Sequence, residues 1–381
     1  MQLIKVGKPV LGFSEWFYVS RAILTSQISG YSKQFVPRFE SEFAKYIGVD
    51  HGVAVNSGTS AINLALSTLD VGTGDEVLIS SYTNMATFFP VLQLGAMPIP
   101  VDVDPIHFNF DPNDLEKLIS KKTKAILVVH IFGHPAPMDE ICEIANRYGI
   151  PIIEDCAEAH GATIRGKKVG SFGIAGCFSF YANKLITTGE GGMLTTSDSE
   201  FAIKAKTISS LSFGTENKFI HEQDGYNFRL SNILAGVGIA QLKRLESNIK
   251  KKRRIAKFYE HYLNSDSRLM LPSEEFEVRN VYWMYLISIK NSDKYPTARI
   301  IEELKKRGIE SREGFVPFSD QEKVLKKFGI SSRNTPVASI AGNSTFYLPS
   351  GPNLSRRKIR HISKTLIEIL DLFELKGKTT Y

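Results

Sequence analysis

Apolar side chains at Phe35, Phe39, Phe43 and Ile47 recur at helical spacing and stop at Gly48, which predicts a helix with a glycine end. Beyond it, short β-rich runs alternate with helix-like stretches. The runs are Val53–Val55, Glu76–Ile79, Met97–Val101, Ala125–Val129 and Ile150–Glu154; the stretches are Ala61–Leu69, Thr87–Leu94, Asn113–Ile119 and Met138–Tyr148. Strand and helix in turn predict an α/β fold, a mostly parallel sheet with helices on both faces. After residue 170 the rhythm changes. Cys177–Phe180 and Met193–Thr196 read as strands around a glycine-rich turn, and one long helix, about Asn232 to Tyr262, leads out of the large unit. Residues 265–381 read as compact α+β, with a strand at Val281–Ile289 and helices at Thr297–Arg307 and Ser355–Phe373. Residues 1–33, holding Gly7, Pro9, Gly12 and Gly30, read as an irregular arm laid over a neighbouring surface. The expected division is an arm of residues 1–33, a large domain of 34–248 and a small C-terminal domain of 249–381.

Composition is that of an ordinary globular protein of 381 residues, with a net charge of +7. The surplus gathers in Lys250-Lys251-Lys252-Arg253-Arg254 and Arg356-Arg357-Lys358, which read first as solvated helix faces. No zinc-finger or RNA-binding signature accompanies them, so no nucleic-acid partner is expected, and the excess suits an anionic small substrate. Cys142, Cys156 and Cys177 fit no metal spacing and read as buried thiols in a reducing compartment. With no apolar run of signal or membrane-spanning length, a cytoplasmic protein without membrane contact is expected.

Three segments carry chemistry. Asn56-Ser57-Gly58-Thr59-Ser60-Ala61 joins a strand to a helix, where small residues and free N–H groups favour an anion such as phosphate; the same residues also make an ordinary helix cap. Ile152-Ile153-Glu154-Asp155 delivers two carboxylates at a strand's C-terminal end, where α/β sheets bind ligands. Glu154 reads as pointing away or as a surface acid, Asp155 as able to hold a ring nitrogen protonated. Lys184 follows the apolar run Cys177–Phe180 and precedes Gly189-Glu190-Gly191-Gly192. Such a lysine either snorkels to solvent or, desolvated in a pocket, becomes a nucleophilic amine.

Together these segments resemble the DegT/StrS-type sugar aminotransferases, a branch of the fold-type I pyridoxal 5'-phosphate enzymes. The likeness covers about residues 34 to 350. It is carried most specifically by Glu154–Gly161, Gly170–Met193 and Gly225-Tyr226-Asn227-Phe228-Arg229. The resemblance implies pyridoxal phosphate held covalently by Lys184, with Asp155 on its ring nitrogen and Glu158 at its phenolic oxygen. Gly58, Thr59, Ser60 and Ser179 would hold the phosphate. Asn227 would reach the phosphate from the neighbouring subunit, which makes a homodimer with shared active sites. The implied reaction moves an amino group from an amino acid, by family analogy glutamate, to a ketone, with Lys184 as general base and acid.

Within the family the likeness is greatest to the GDP-perosamine synthases, which aminate a GDP-linked 4-keto-6-deoxy sugar. Departures bear on that substrate. Asn84 occupies a cofactor-contact position that is usually aromatic. Ser319 replaces a histidine near the substrate, and His160 stands where Val or Leu is common. With Arg312, which could meet a phosphate or carboxylate, His160 and Ser319 are the candidate substrate contacts. An aminotransferase for a small phosphorylated ketone such as a triose phosphate stays open, as does a non-catalytic binding protein on the same fold.

Overall fold

The computed structural model describes the chain except residues 1–2, 215–216, 218, 222, 332 and 379–381, with side chains omitted for 376–378. Among the described residues, seven strands form the main sheet: β1 (His51–Val55), β2 (Glu76–Ser80), β3 (Met97–Val101), β4 (Thr123–Val129), β5 (Ile152–Asp155), β6 (Ala175–Ser179) and β7 (Gly192–Thr196). Their order is β1-β7-β6-β5-β4-β2-β3. The pairs from β6 through β3 are parallel, and β7 runs antiparallel to both β6 and β1. β5 and β6 are buried along their whole length, as expected of strands covered on both faces. This is the mostly parallel α/β sheet expected from the alternation of strands and helices, with β7 reversed between β1 and β6. A second, antiparallel sheet holds β8 (Leu269–Met270), β9 (Tyr285–Ile289), β10 (Arg312–Glu313) and β11 (Thr345–Leu348) in the order β8-β9-β11-β10.

Four expectations change. Residues 13–24 are a helix, not irregular chain. Its buried face carries Glu15, Tyr18 and Ala22, whereas Phe13, Trp16, Phe17 and Leu24 are exposed. An inverted apolar pattern hides the helix from a periodicity argument. Glu15 holds it in place by accepting from Gln241 Nε2 at 2.7 Å and from the Gly12 N–H at 2.8 Å. The long helix from Asn232 is two, Asn232–Leu242 and Leu245–Leu263, broken at Lys243 and Arg244. The strand read at Val281–Ile289 begins only at Tyr285, because the backbone turns at Tyr282 (φ 50°) after its N–H bonds the Asn280 side chain at 2.7 Å. A helix at Pro336–Ser344 and strand β11 were not foreseen. The glycine-ended helix Val36–Ile47 is present, with Gly48 at φ +95°, and the cysteines are free thiols.

Candidate active site

The C-terminal end of β5 presents its two carboxylates to different surroundings, since successive strand residues face opposite sides. Glu154 is fully buried and accepts four hydrogen bonds: from Gly170, Phe172 and Gly173 N–H at 2.7, 2.7 and 2.8 Å, and from His130 Nε2 at 3.0 Å. His130 Nδ1 in turn accepts from the Ala136 N–H at 3.0 Å, which leaves Nε2 as the donor. Cys156 Sγ lies within 4.8 Å of this pair in a grouping of metal-ligand type. Both Glu154 oxygens are already taken up by these four donors, so the grouping is a hydrogen-bonded knot that fixes the 170–173 loop.

Asp155 points to the opposite side of the strand and is buried there. It accepts from the Thr87 hydroxyl at 2.9 Å and the Ala157 N–H at 3.0 Å. Burial raises its pKa, against those two hydrogen bonds and the charge of Lys184. Glu158 accepts from the Phe132 N–H at 2.7 Å, and burial pushes its carboxyl up to about 7 against Lys184 and that N–H. The Lys184 side chain is 12% exposed, with Nζ 4.0 Å from Glu158 and 3.9 Å from the Trp283 ring centroid. Burial lowers its pKa while Glu158 and Asp155 oppose the shift. An amine drawn toward neutrality beside carboxylates drawn toward protonation is suited to proton exchange near neutral pH.

Beside this cluster the helix Gly58–Thr68 begins. Ser57 is its cap, accepting from the Ser60 N–H at 3.0 Å, and the Ser60 hydroxyl donates to Asn56 at 2.6 Å. The N–H groups of Gly58 and Thr59 have no acceptor within the helix. A Cβ on Gly58 would lie 2.7 Å from Ser179 Cβ, so glycine is what lets the Ser179 side chain, at the end of β6, sit against these donors. Cap and anion cradle, the two readings of this segment, coexist. A small cup with two free N–H donors, a carboxylate at a strand end and a desolvated lysine fit pyridoxal phosphate.

Other candidates lie elsewhere. Asn84 is exposed and caps the helix Met85–Gln93. Asn227 is exposed next to the cup, where Asn56 Nδ2 donates to its carbonyl at 3.4 Å. Arg312 is exposed and paired with Glu310 at 2.9 Å, yet lines the same cavity as Lys184. Ser319 accepts from Thr335 at 2.9 Å and donates to Asp320 at 3.0 Å, and is not in that lining. His160 requires correction as a substrate contact: it is fully buried between Phe178 and Phe180. Burial lowers its pKa to about 3, so the ring stays neutral. Sequence reasoning missed Thr87, the Phe132 peptide, Trp283 and Lys252. The last lines the Lys184 cavity and donates to Ser350 O and Oγ at 2.7 and 2.9 Å. Only Thr87, a polar residue opening an apolar helix pattern, carried a local signal.

Among the described residues no helix is long and apolar enough to cross a membrane. The model of the DegT/DnrJ/EryC1/StrS aminotransferase family matches residues 18–367. The GDP-perosamine synthase of Caulobacter vibrioides is 37% identical over 96% of this chain and 98% of its own. That of Escherichia coli O157:H7 is 34% identical over 97% and 99%. The crystal structure of DesV from S. venezuelae superposes with a TM-score of 0.86 at 31% identity, covering 93% of this chain and 94% of that one.

Proposed function

Because the chain belongs to the DegT/DnrJ/EryC1/StrS aminotransferase family, and is thus a pyridoxal-phosphate-dependent aminotransferase, we propose that it aminates the ketone of a nucleotide-linked 4-keto-6-deoxy sugar, with L-glutamate as donor. The observation that carries the site assignment is Lys184, held 4.0 Å from Glu158 and near enough to the buried Asp155 at the end of β5 for the two charges to act on each other. Likeness to two GDP-perosamine synthases over nearly the full chain supports the sugar.

Lys184 is the covalent anchor of the cofactor. Asp155 pairs with the ring nitrogen, and Glu158 stands at the phenolic oxygen. Ser179 and the N–H groups of Gly58 and Thr59, with Ser60, hold the phosphate. When bound, pyridoxal phosphate supplies an electron-withdrawing ring that makes the donor's α-hydrogen acidic. With the cofactor bound, Lys184 Nζ would be the group placed to take up and return that proton. Asp155 remains ionised to keep the ring nitrogen charged, and Trp283 covers the lysine against water.

The working unit in this proposal is a homodimer, with Asn227 of the partner subunit reaching each phosphate site. Support comes from the exposed apolar face of the first helix, Phe13, Trp16, Phe17 and Leu24, a patch that suits a second copy. The division at residue 248 into a cofactor-binding and a smaller unit belongs to the same proposal. Incubation of the purified protein with glutamate and GDP-4-keto-6-deoxymannose, read by mass spectrometry, should give the amino sugar nucleotide. Good turnover of dihydroxyacetone phosphate without turnover of the sugar nucleotide would replace the substrate and leave the transamination.

A further inference from the structure

Lys184 stands on irregular backbone beyond β6, outside any helix or strand that would fix the direction of its side chain. Side chains from other segments hold that backbone instead. Trp283 Nε1 donates to Asn183 O at 2.8 Å, Asn248 Nδ2 donates to Leu185 O at 3.2 Å, and Gln241 Oε1 accepts from the Thr187 N–H at 3.4 Å. Trp283 also meets the amine itself: Nζ lies 3.9 Å from the centroid of its ring and 4.0 Å from Glu158 Oε1. The cavity offers no second seat of this kind. Among the described residues Trp283 is the only aromatic ring in its lining. Part of the wall is bare backbone, where Gly7 and Gly351 cross closely, a Cβ on Gly351 falling 3.4 Å from Gly7 Cα.

One turn of backbone fixes both parts of this seat. Phe132 takes a left-handed conformation (φ 50°), which residues with a side chain populate sparsely. Its N–H holds Glu158 at 2.7 Å, and its ring stacks on Trp283 with centroids 5.8 Å apart at 23°. At Gly133 (φ 98°) a Cβ would lie 2.8 Å from Trp283 N, and Gly133 O accepts from the Val281 N–H at 3.0 Å. Carboxylate and indole are thus placed around Nζ by adjoining residues. A π face attracts an ammonium and has little hold on a neutral amine. Such a seat steadies Lys184 while it is charged and releases it once it is an amine.

We propose that Trp283 is the positioning residue of Lys184: its indole N–H fixes the loop at Asn183 and its ring face seats Nζ beside Glu158. The assignment rests on Lys184 being the reactive amine, which borohydride fixation of the cofactor tests by itself. The ring face is tested with fluorine, which weakens the π face while keeping the N–H and changing the size little. The chain has two tryptophans, so full-length Trp16→Phe grown on fluorotryptophan is fluorinated at Trp283 alone. Acetylation of Lys184 by acetic anhydride is followed across pH in the cofactor-free protein, by mass spectrometry of its peptide. A weaker face favours the ammonium less, so the midpoint of the profile should move to lower pH. On its acidic side the rate should rise stepwise from unfluorinated to mono- to difluorotryptophan. The rise should reach about 2-fold or more, a part of the roughly 30-fold that a desolvated cation–π contact carries. The charges of Glu158 and Asp155, and the cavity cations Lys8, Lys252 and Arg312, are the same in all three proteins. A merely structural tryptophan would therefore leave the midpoint in place. The N–H is tested with Trp283→Phe, which keeps a ring and loses the donor. In the cofactor-loaded enzyme kcat should fall roughly 10- to 100-fold, the cost of a misplaced reacting group, with KM for glutamate within about 2-fold. If Trp283→Phe does not fold, the fluorinated proteins decide alone. A profile unmoved by fluorine, or Trp283→Phe turning over as the unaltered protein does, overturns the assignment. Cofactor fixed on another lysine overturns the reading of Lys184 instead.

Discussion

Replacing Glu154 by glutamine and, separately, Asp155 by asparagine exchanges one oxygen for one NH₂ in each of two adjacent side chains of β5. At Glu154 each oxygen accepts two donors: Phe172 and Gly173 N–H on one, Gly170 N–H and His130 Nε2 on the other. Glutamine keeps one oxygen, so its amide faces two donors in a fully buried place. Two unsatisfied donors at about 1–3 kcal/mol each give a loss of roughly 2–6 kcal/mol. For 381 residues the unfolding entropy is on the order of 0.8 kcal/mol/K, so Tm should fall by roughly 3–8 °C. At Asp155 asparagine keeps the Ala157 N–H on its oxygen, and the Thr87 hydroxyl can turn to accept. Burial already opposes the Asp155 charge, so removing the charge should leave Tm unchanged or raise it. Turnover is another matter: loss of one member of a buried charge pair amounts to roughly 2 kcal/mol or more, about 30-fold in kcat. Calorimetric melting of each cofactor-free variant, with turnover per folded molecule at saturating substrates, separates the two effects. Glu154→Gln melting normally but inactive, or both variants losing stability and turnover alike, would refute this division of roles.

Borohydride treatment of the yellow holoenzyme should fix the cofactor on the peptide containing Lys184, by mass spectrometry, and Lys184→Ala should lose both the adduct and transamination. Glu158 has a folded pKa of about 7, raised by burial above its ordinary 4.5. Its stabilising protonated form is fully present below pH 4.5 and is lost as pH rises through 7. Cofactor-free protein should therefore lose up to about 1.4 kcal/mol of stability per pH unit across that window from this group. Glu158→Gln should flatten that part of a Tm–pH profile; an unchanged profile refutes the assignment. Mixing Lys184→Ala with Asn227→Ala subunits under exchange should regenerate one intact site per mixed dimer. Verified mixed dimers without recovered activity, from two impaired parents, would rule out the shared site.

What was legible in the sequence follows from where the information is local. The parallel core could be read because β2 to β5 are strands between helices of ordinary length; Asp155 could be singled out because it ends one of them and Lys184 because it lies a few residues beyond β6, whereas Ser179 entered through the resemblance. Helix 13–24 was illegible since its buried face uses Glu15, anchored by Gln241 more than two hundred residues away. The same holds for Trp283 and Lys252, which reach the lysine cavity from segments whose own patterns describe only their own packing. His160 shows the opposite error. A polar residue near a functional motif suggests contact with a ligand, but here the ring fills core space between two phenylalanines.

The crossing of Gly7 and Gly351 has a practical side. The first described residues are bonded to Gly308, Glu310 and Ser350, which flank strands of the second sheet, and share a groove with Arg357 and Lys358. An N-terminal affinity tag rich in acidic residues would bring its own carboxylates close to those basic side chains. Material for affinity measurements should carry its tag after the helix Arg356–Lys378 or have it cleaved.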